Sequence, residues 1–134
     1  MNNFGECAVL AANILRTTED IGPTDAWAMA ARRIFPNSMS SQKKVCPKKA
    51  FEGLCEGRKI KEIDEDKIFH ARASKNGDYA VEGLKILSFN PALASNPRQL
   101  LKQVLKNLNC DEGKAANGQM EVVIALFNEG VLET

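Results

Sequence analysis

Histidine is nearly absent from this chain: His70 is the only one among 134 residues. One imidazole supports neither a His-rich metal site nor a relay of two histidines. Cysteine is sparse as well. Cys7, Cys46, Cys55 and Cys110 lie far apart and form no C-x-x-C pair, so the local spacing that builds small zinc sites is missing. An even cysteine count permits disulfides, but a helical chain of this length does not need them, and a reducing, cytoplasmic compartment is the default reading. No apolar run approaches the roughly 18 residues that span a membrane. The opening MNNFGECAVLAANIL has no basic n-region and no clean cleavage site after it, and reads as part of the fold.

Nucleotide and nucleophile motifs are missing too. There is no G-x-G-x-x-G and no P-loop. Ser40 with Lys43, and Ser41 with Lys44, fit S-x-x-K, yet the S-D-N and K-T-G elements that complete such a site do not occur. Asp64, Glu65 and Asp66 lack the alternating spacing of a calcium loop. Little acid–base chemistry is left, and no metal or cofactor is expected.

What is present is a foldable helical pattern. Apolar residues make up 44% of the chain and charged residues 26%, with a net charge of +1. This composition excludes global disorder, and the length suits one domain over residues 1–134. Phe4, Cys7, Ala8, Ala11, Ile14 and Leu15 share one helical stripe. Trp27, Ala30, Ala31 and Ile34 form a second, begun near Gly22 or Thr24 and stopped by Pro36. In a third, Phe51, Leu54 and Cys55 face inward, with Cys46 as N-cap, Pro47 at the first helical position and Gly57 just past the end. A fourth runs from Tyr79 to Leu87. Asn96 caps a fifth, whose stripe is Leu100, Leu101, Val104, Leu105 and Leu108. Met120, Val123, Ile124 and Phe127 mark the last, which ends at Gly130. The expectation is a mainly α, compact bundle of about six helices, with a small β-hairpin arm as an option near residues 59–71.

Three stretches together resemble a known family: AWAMAARRIFPNSMSSQKKVCPKKAFEGLCEG, SKNGDYAVEGLKIL and NGQMEVVIALFNEGVL. It is a family of small bacterial domains of unknown function. The resemblance runs from about Asp25 to Leu132 and is most specific at Cys46, Pro47, Ala50, Phe51, Gly53, Leu54, Cys55 and Glu56. It implies a shared helical fold and transfers no activity. Similar sequences tend to carry Gly-Ile and a short Gly-bearing turn where this chain has Glu62, Ile63 and DEDKIFHA.

The strongest electrostatic signal is basic. Residues 43–61 hold seven cations (Lys43, Lys44, Lys48, Lys49, Arg58, Lys59, Lys61) against Glu52 and Glu56, a net +5, which leaves −4 on the other 115 residues. Such a segment suits phosphates or acidic protein surfaces. A helix–turn–helix reading pairs Trp27–Phe35 with a recognition helix from Pro47 to Glu56. The helical wheel opposes it: with Phe51, Leu54 and Cys55 inward, the solvent stripe is Lys48, Glu52 and Glu56, two of which phosphate repels. Cys46 is the candidate reactive thiol, because lysines and a helix start favour thiolate, with His70 as its base.

The leading expectation is therefore a non-catalytic protein-interaction or adaptor module. Lys43, Lys44, Lys48, Lys49, Arg58, Lys59 and the adjoining SMSSQ loop form its contact surface, and its protein partner is unidentified. The alternative is a nucleic-acid-binding module, and the third reading is a sensor or enzyme using Cys46. No membrane partner is expected, and a homo-oligomer stays open.

Overall fold

A computed structural model describes residues 3–63, 74–111 and 117–133. Its elements are α1 (Asn3–Thr17), α2 (Pro23–Ile34), a four-residue α3 (Met39–Gln42), α4 (Val45–Glu56), α5 (Lys75–Phe89), a 3-10 segment (Pro91–Ser95), α6 (Pro97–Asn107) and α7 (Gln119–Asn128). Each of the six expected stripes falls on one of the longer helices, and the fold is mainly α. Among the described residues no helix is long and apolar enough to cross a membrane.

The helices bury those stripes against one another in a contiguous core. Trp27 of α2 and Phe51 of α4 meet with ring centroids 5.5 Å apart, and Phe51 and Leu54 are fully buried. Helix α4 is central, because it packs against α2, α5 and α7. Pro47, Ala50, Phe51, Glu52, Leu54 and Cys55 are all buried on it. At 100° per residue these positions span an arc of roughly 200°, about twice what one neighbouring layer would cover.

Several helix starts follow from side-chain caps. Ser74 Oγ accepts from the Gly77 amide at 3.0 Å, and Asn96 Oδ1 accepts from the Gln99 amide at 3.1 Å, with Pro97 next in line. Gly22 precedes α2, with Pro23 in its first turn. The start of α4 departs from expectation. Its N-cap is Lys44, with no side-chain cap bond, and the helix begins at Val45. Cys46 is thus its second residue and Pro47 its third. This is physically equivalent for proline, since every amide of the first turn lacks an intrahelical acceptor.

Three helix ends share one device. In α4 the Lys59 amide donates to Leu54 O at 2.9 Å and the Arg58 amide to Cys55 O at 3.0 Å, which closes the last turn as a Schellman motif. The left-handed residue is Arg58, at φ 59°, and not the expected Gly57, whose φ is −74°. The same pair of bonds closes α6 with Asn109 left-handed (φ 56°) and α7 with Gly130 left-handed (φ 72°). An arginine in that region carries a strain of about 1 kcal/mol.

Helices α4 and α5 cross backbone to backbone. A Cβ built on Gly53 would lie 2.3 Å from the Cα of Gly77, and one on Gly77 would lie 3.1 Å from the Cα of Gly53. Only two glycines allow this approach.

The partner expected for the segment after α4, residues 67–71, lies outside the described residues. Among the described residues Ile60 bridges antiparallel to Leu132. The Lys61 amide donates to Val131 O at 2.8 Å and the Glu133 amide to Lys59 O at 2.6 Å. This contact ties the end of the chain to the foot of α4.

Candidate functional site

The predicted basic residues divide between the two ends of α4. Lys43 and Lys44 are exposed at its start. Arg58 and Lys59 lie past its end, about 18 Å away at 1.5 Å per residue over twelve residues. Lys59 lines a small cleft with Lys85, Ser88 and Glu133. Lys49 is half-buried and its Nζ lies 3.4 Å from Glu52 Oε1. The candidate surface therefore narrows to the amino-terminal end of α4, where Lys43, Lys44 and Lys48 stand together.

Two arginines join them. From Ala26 to Phe51 the chain carries Arg32, Arg33, Lys43, Lys44, Lys48 and Lys49 and no acidic residue. Arg32 and Arg33 are exposed in the last turn of α2. That helix leads into the same corner: its C-cap Phe35 packs on Phe4 at 5.0 Å between centroids, and Phe35 O accepts from Gln42 Nε2 at 2.8 Å. Lys44 Nζ sits 5.2 Å above the Phe4 ring, a cation–π contact that restrains it. Arg32, Arg33, Lys43 and Lys48 pair with no carboxylate among the described residues. The acid-free run was the sequence signal for the arginines, but a window beginning at Lys43 leaves them out.

The corner also exposes apolar surface. Met39 is 60% exposed and Val45 56%, and they bracket Lys43 and Lys44 in the chain. Around Met39 a serine cluster caps α3: Ser38 Oγ accepts from the Ser41 amide at 3.2 Å and lies 3.0 Å from Ser41 Oγ and 3.3 Å from Ser40 Oγ.

A family model matches residues 1–133 of this chain. The chain belongs to DUF6979, a family of unknown function. No curated protein and no solved structure matches it. The resemblance read from the residues began near Asp25; the family match also takes in α1. Membership in DUF6979 brings no activity with it, so function has to be argued from the surface of the fold.

The largest correction within the DUF6979 fold is Glu52. The wheel places it on the solvent stripe of α4, yet it is 5% exposed. The reason is the third neighbour of α4. Helix α2 closes over that side, and Thr24 Oγ1 donates to Glu52 Oε1 at 3.4 Å. Lys49 Nζ reaches the same oxygen at 3.4 Å, while the buried Oε2 has no partner among the described residues. Glu52 is therefore absent from the solvent stripe that the wheel implied, and Lys49 offsets part of its charge.

The thiols separate into two classes. Burial pushes the Cys7 thiol up to about 12. Burial, together with the nearby charge of Glu52, raises Cys55 still further. Cys46 and Cys110 are half-buried and all four are free. His70, the base suggested for Cys46, lies outside the described residues. Brief alkylation near pH 8 should modify two thiols in the folded protein and four in denaturant, counted by intact mass. The raised values also set a sign for stability. Both thiols stay neutral in the folded state while the unfolded chain ionises near 9, so stability is complete below pH 9. It should fall as pH rises from there towards 12, by up to about 1.4 kcal/mol per pH unit for each thiol.

A second concavity, a groove of about 450 Å³, opens between α5 and the end of α6, lined by Lys75, Asp78, Glu82, Leu108 and Cys110 among others. The Cys110 thiol donates to Leu108 O at 3.7 Å. Among the described residues no group of three or more His, Cys, Asp or Glu is placed to hold a metal.

Proposed function

We propose that this DUF6979 chain is a non-catalytic protein-interaction module whose working surface is the corner formed by the end of α2, α3 and the start of α4. The observation that carries this reading is the joining of exposed apolar side chains to cations that pair with no carboxylate among the described residues. Arg32, Arg33, Lys43 and Lys44 are exposed, as are Met39 and Val45. Protein interfaces combine such anchors with a charged rim. A phosphate backbone would use the cations and leave Met39 and Val45 without a role.

The test is in-cell photo-crosslinking in the source organism. A photoreactive amino acid at Val45 should yield discrete protein adducts, and these should vanish when Lys43→Glu and Lys44→Glu are added. The same probe at Glu129, on the far end of α7, is the control. Adducts to nucleic acid alone, or identical adducts from both positions, would refute the reading.

A further inference from the structure

We infer that the occupant of this corner is an acidic segment of a partner protein bearing bulky apolar side chains, an inference that rests on the interaction reading above and names its partner class. The argument begins with a charge conflict that the fold creates. The amino-terminal end of a helix carries a partial positive charge, and acidic residues normally occupy its first turn. Helix α4 has none there. Its N-cap is Lys44, preceded by Lys43 and followed within one turn by Lys48. Pro47 has no N–H and the Lys44 amide donates to Ser41 O at 3.3 Å, which leaves the Val45 and Cys46 amides without intrahelical acceptors, and the N-cap side chain makes no bond to them. Arg32 and Arg33 add two more charges from the end of α2. Helix dipole and side chains thus add with the same sign, and the acid-free run from Ala26 to Phe51 supplies no internal compensation. An anionic partner would relieve that field.

The apolar neighbours select which anion. Met39 and Val45 expose more than half of their surface. A methionine adapts its shape to varied apolar partners. The Phe4 ring already restrains Lys44, so less side-chain entropy is lost when it pairs with a carboxylate. The Ser40 and Ser41 hydroxyls, 3.3 and 3.0 Å from that of Ser38, add donors for carboxylate oxygens. Free phosphate and duplex nucleic acid match the charge but not Met39 and Val45.

The experiment is fluorescence anisotropy of the full chain with labelled synthetic peptides of about 18 residues, long enough to sample a helix. The first is Glu-rich with two leucines one turn apart, the second replaces both leucines with alanine, and the third replaces glutamate with lysine. A mixed-sequence duplex is the fourth probe. The first peptide should bind, the second about tenfold or more weakly, and the third not at all. Lys43→Glu with Lys44→Glu should abolish binding of the first. That variant places acids at the start of α4, where the dipole favours them, so it should remain folded by circular dichroism. Met39→Ser should weaken the leucine peptide and leave the alanine peptide unchanged. Failure of the first peptide to bind, equal binding of the first two, or tighter binding of the duplex would overturn the inference. Failure with the peptides alongside specific protein cross-links at Val45 would remove the acidic-partner class and leave the interaction reading standing.

Discussion

Gly53→Ala should lower stability by about 3 kcal/mol, although helix propensity alone predicts a gain of about 1 kcal/mol for alanine in a helix interior. The two effects have opposite signs, so the experiment discriminates cleanly. The new Cβ would lie 2.3 Å from the Gly77 Cα and 3.0 Å from its carbonyl carbon and oxygen. All three atoms are backbone, so no rotamer change relieves the overlap. Helix α4 must draw back from α5 by about 1 Å, loosening close packing along its buried face. Thermal unfolding should show a midpoint lower by roughly 10 °C. Gly77→Ala is the graded comparison. Its nearest contacts are at 3.1 Å, one of them the Ser74 hydroxyl, and its expected loss is about 1 kcal/mol. A midpoint for Gly53→Ala at or above that of the natural chain would mean that the helices do not cross at these glycines.

Glu52→Met should stabilise the protein by about 1–2 kcal/mol, while Lys49→Met should destabilise it by a similar amount. A carboxylate that is 5% exposed, with one oxygen unpartnered, bears a desolvation cost that two hydrogen bonds of 3.4 Å do not recover. An apolar side chain of similar length removes that cost. Taking away Lys49 instead leaves the buried charge with Thr24 alone. The Lys49 side chain is 36% exposed, so solvent screens part of the loss and the figure stays below that of a fully buried pair. In the double variant the Lys49 effect should disappear, because the charge it compensates is gone. Chemical denaturation of the three variants measures all of this. Destabilisation by Glu52→Met equal to that of Lys49→Met would show the pair to be net favourable.

The two expectations depend on features of unequal legibility. Helical periodicity announced six elements, because each buries one face against the core. Asn96 with Pro97 and Gly130 marked boundaries through local backbone chemistry alone. What stayed hidden depends on neighbours distant in sequence. Glu52 reads as a solvent position on any wheel that assumes one packed face; its burial follows from α2 closing over α4, a contact between residues 28 apart. The pairing of Ile60 with Leu132 joins the foot of α4 to the chain's other end and leaves no local pattern. Local sequence favours Gly57 for the left-handed position because glycine is the usual occupant, whereas the hydrogen bonds of the last turn place it one residue later, at Arg58.

The candidate surface was partly visible for a related reason. Net charge over residues 43–61 pointed to α4 but merged both ends of the helix into one feature. Folding separates Arg58 and Lys59 from Lys43 and Lys44, ties Lys49 to Glu52, and brings in Arg32 and Arg33 from α2. The exposure of Met39 and Val45 depends on tertiary packing, and the SMSSQ loop had signalled only polarity.

Hydrogen exchange of the chain bound to a cross-linked or reconstituted partner tests the placement of the working surface most directly. Amides of residues 38–49, from the serine cluster through the first turn of α4, should gain protection, while the cleft by Lys59 and Lys85 and the groove by Lys75 and Leu108 keep their free-state rates. Protection confined to either of those two regions, with 38–49 unchanged, would contradict the account.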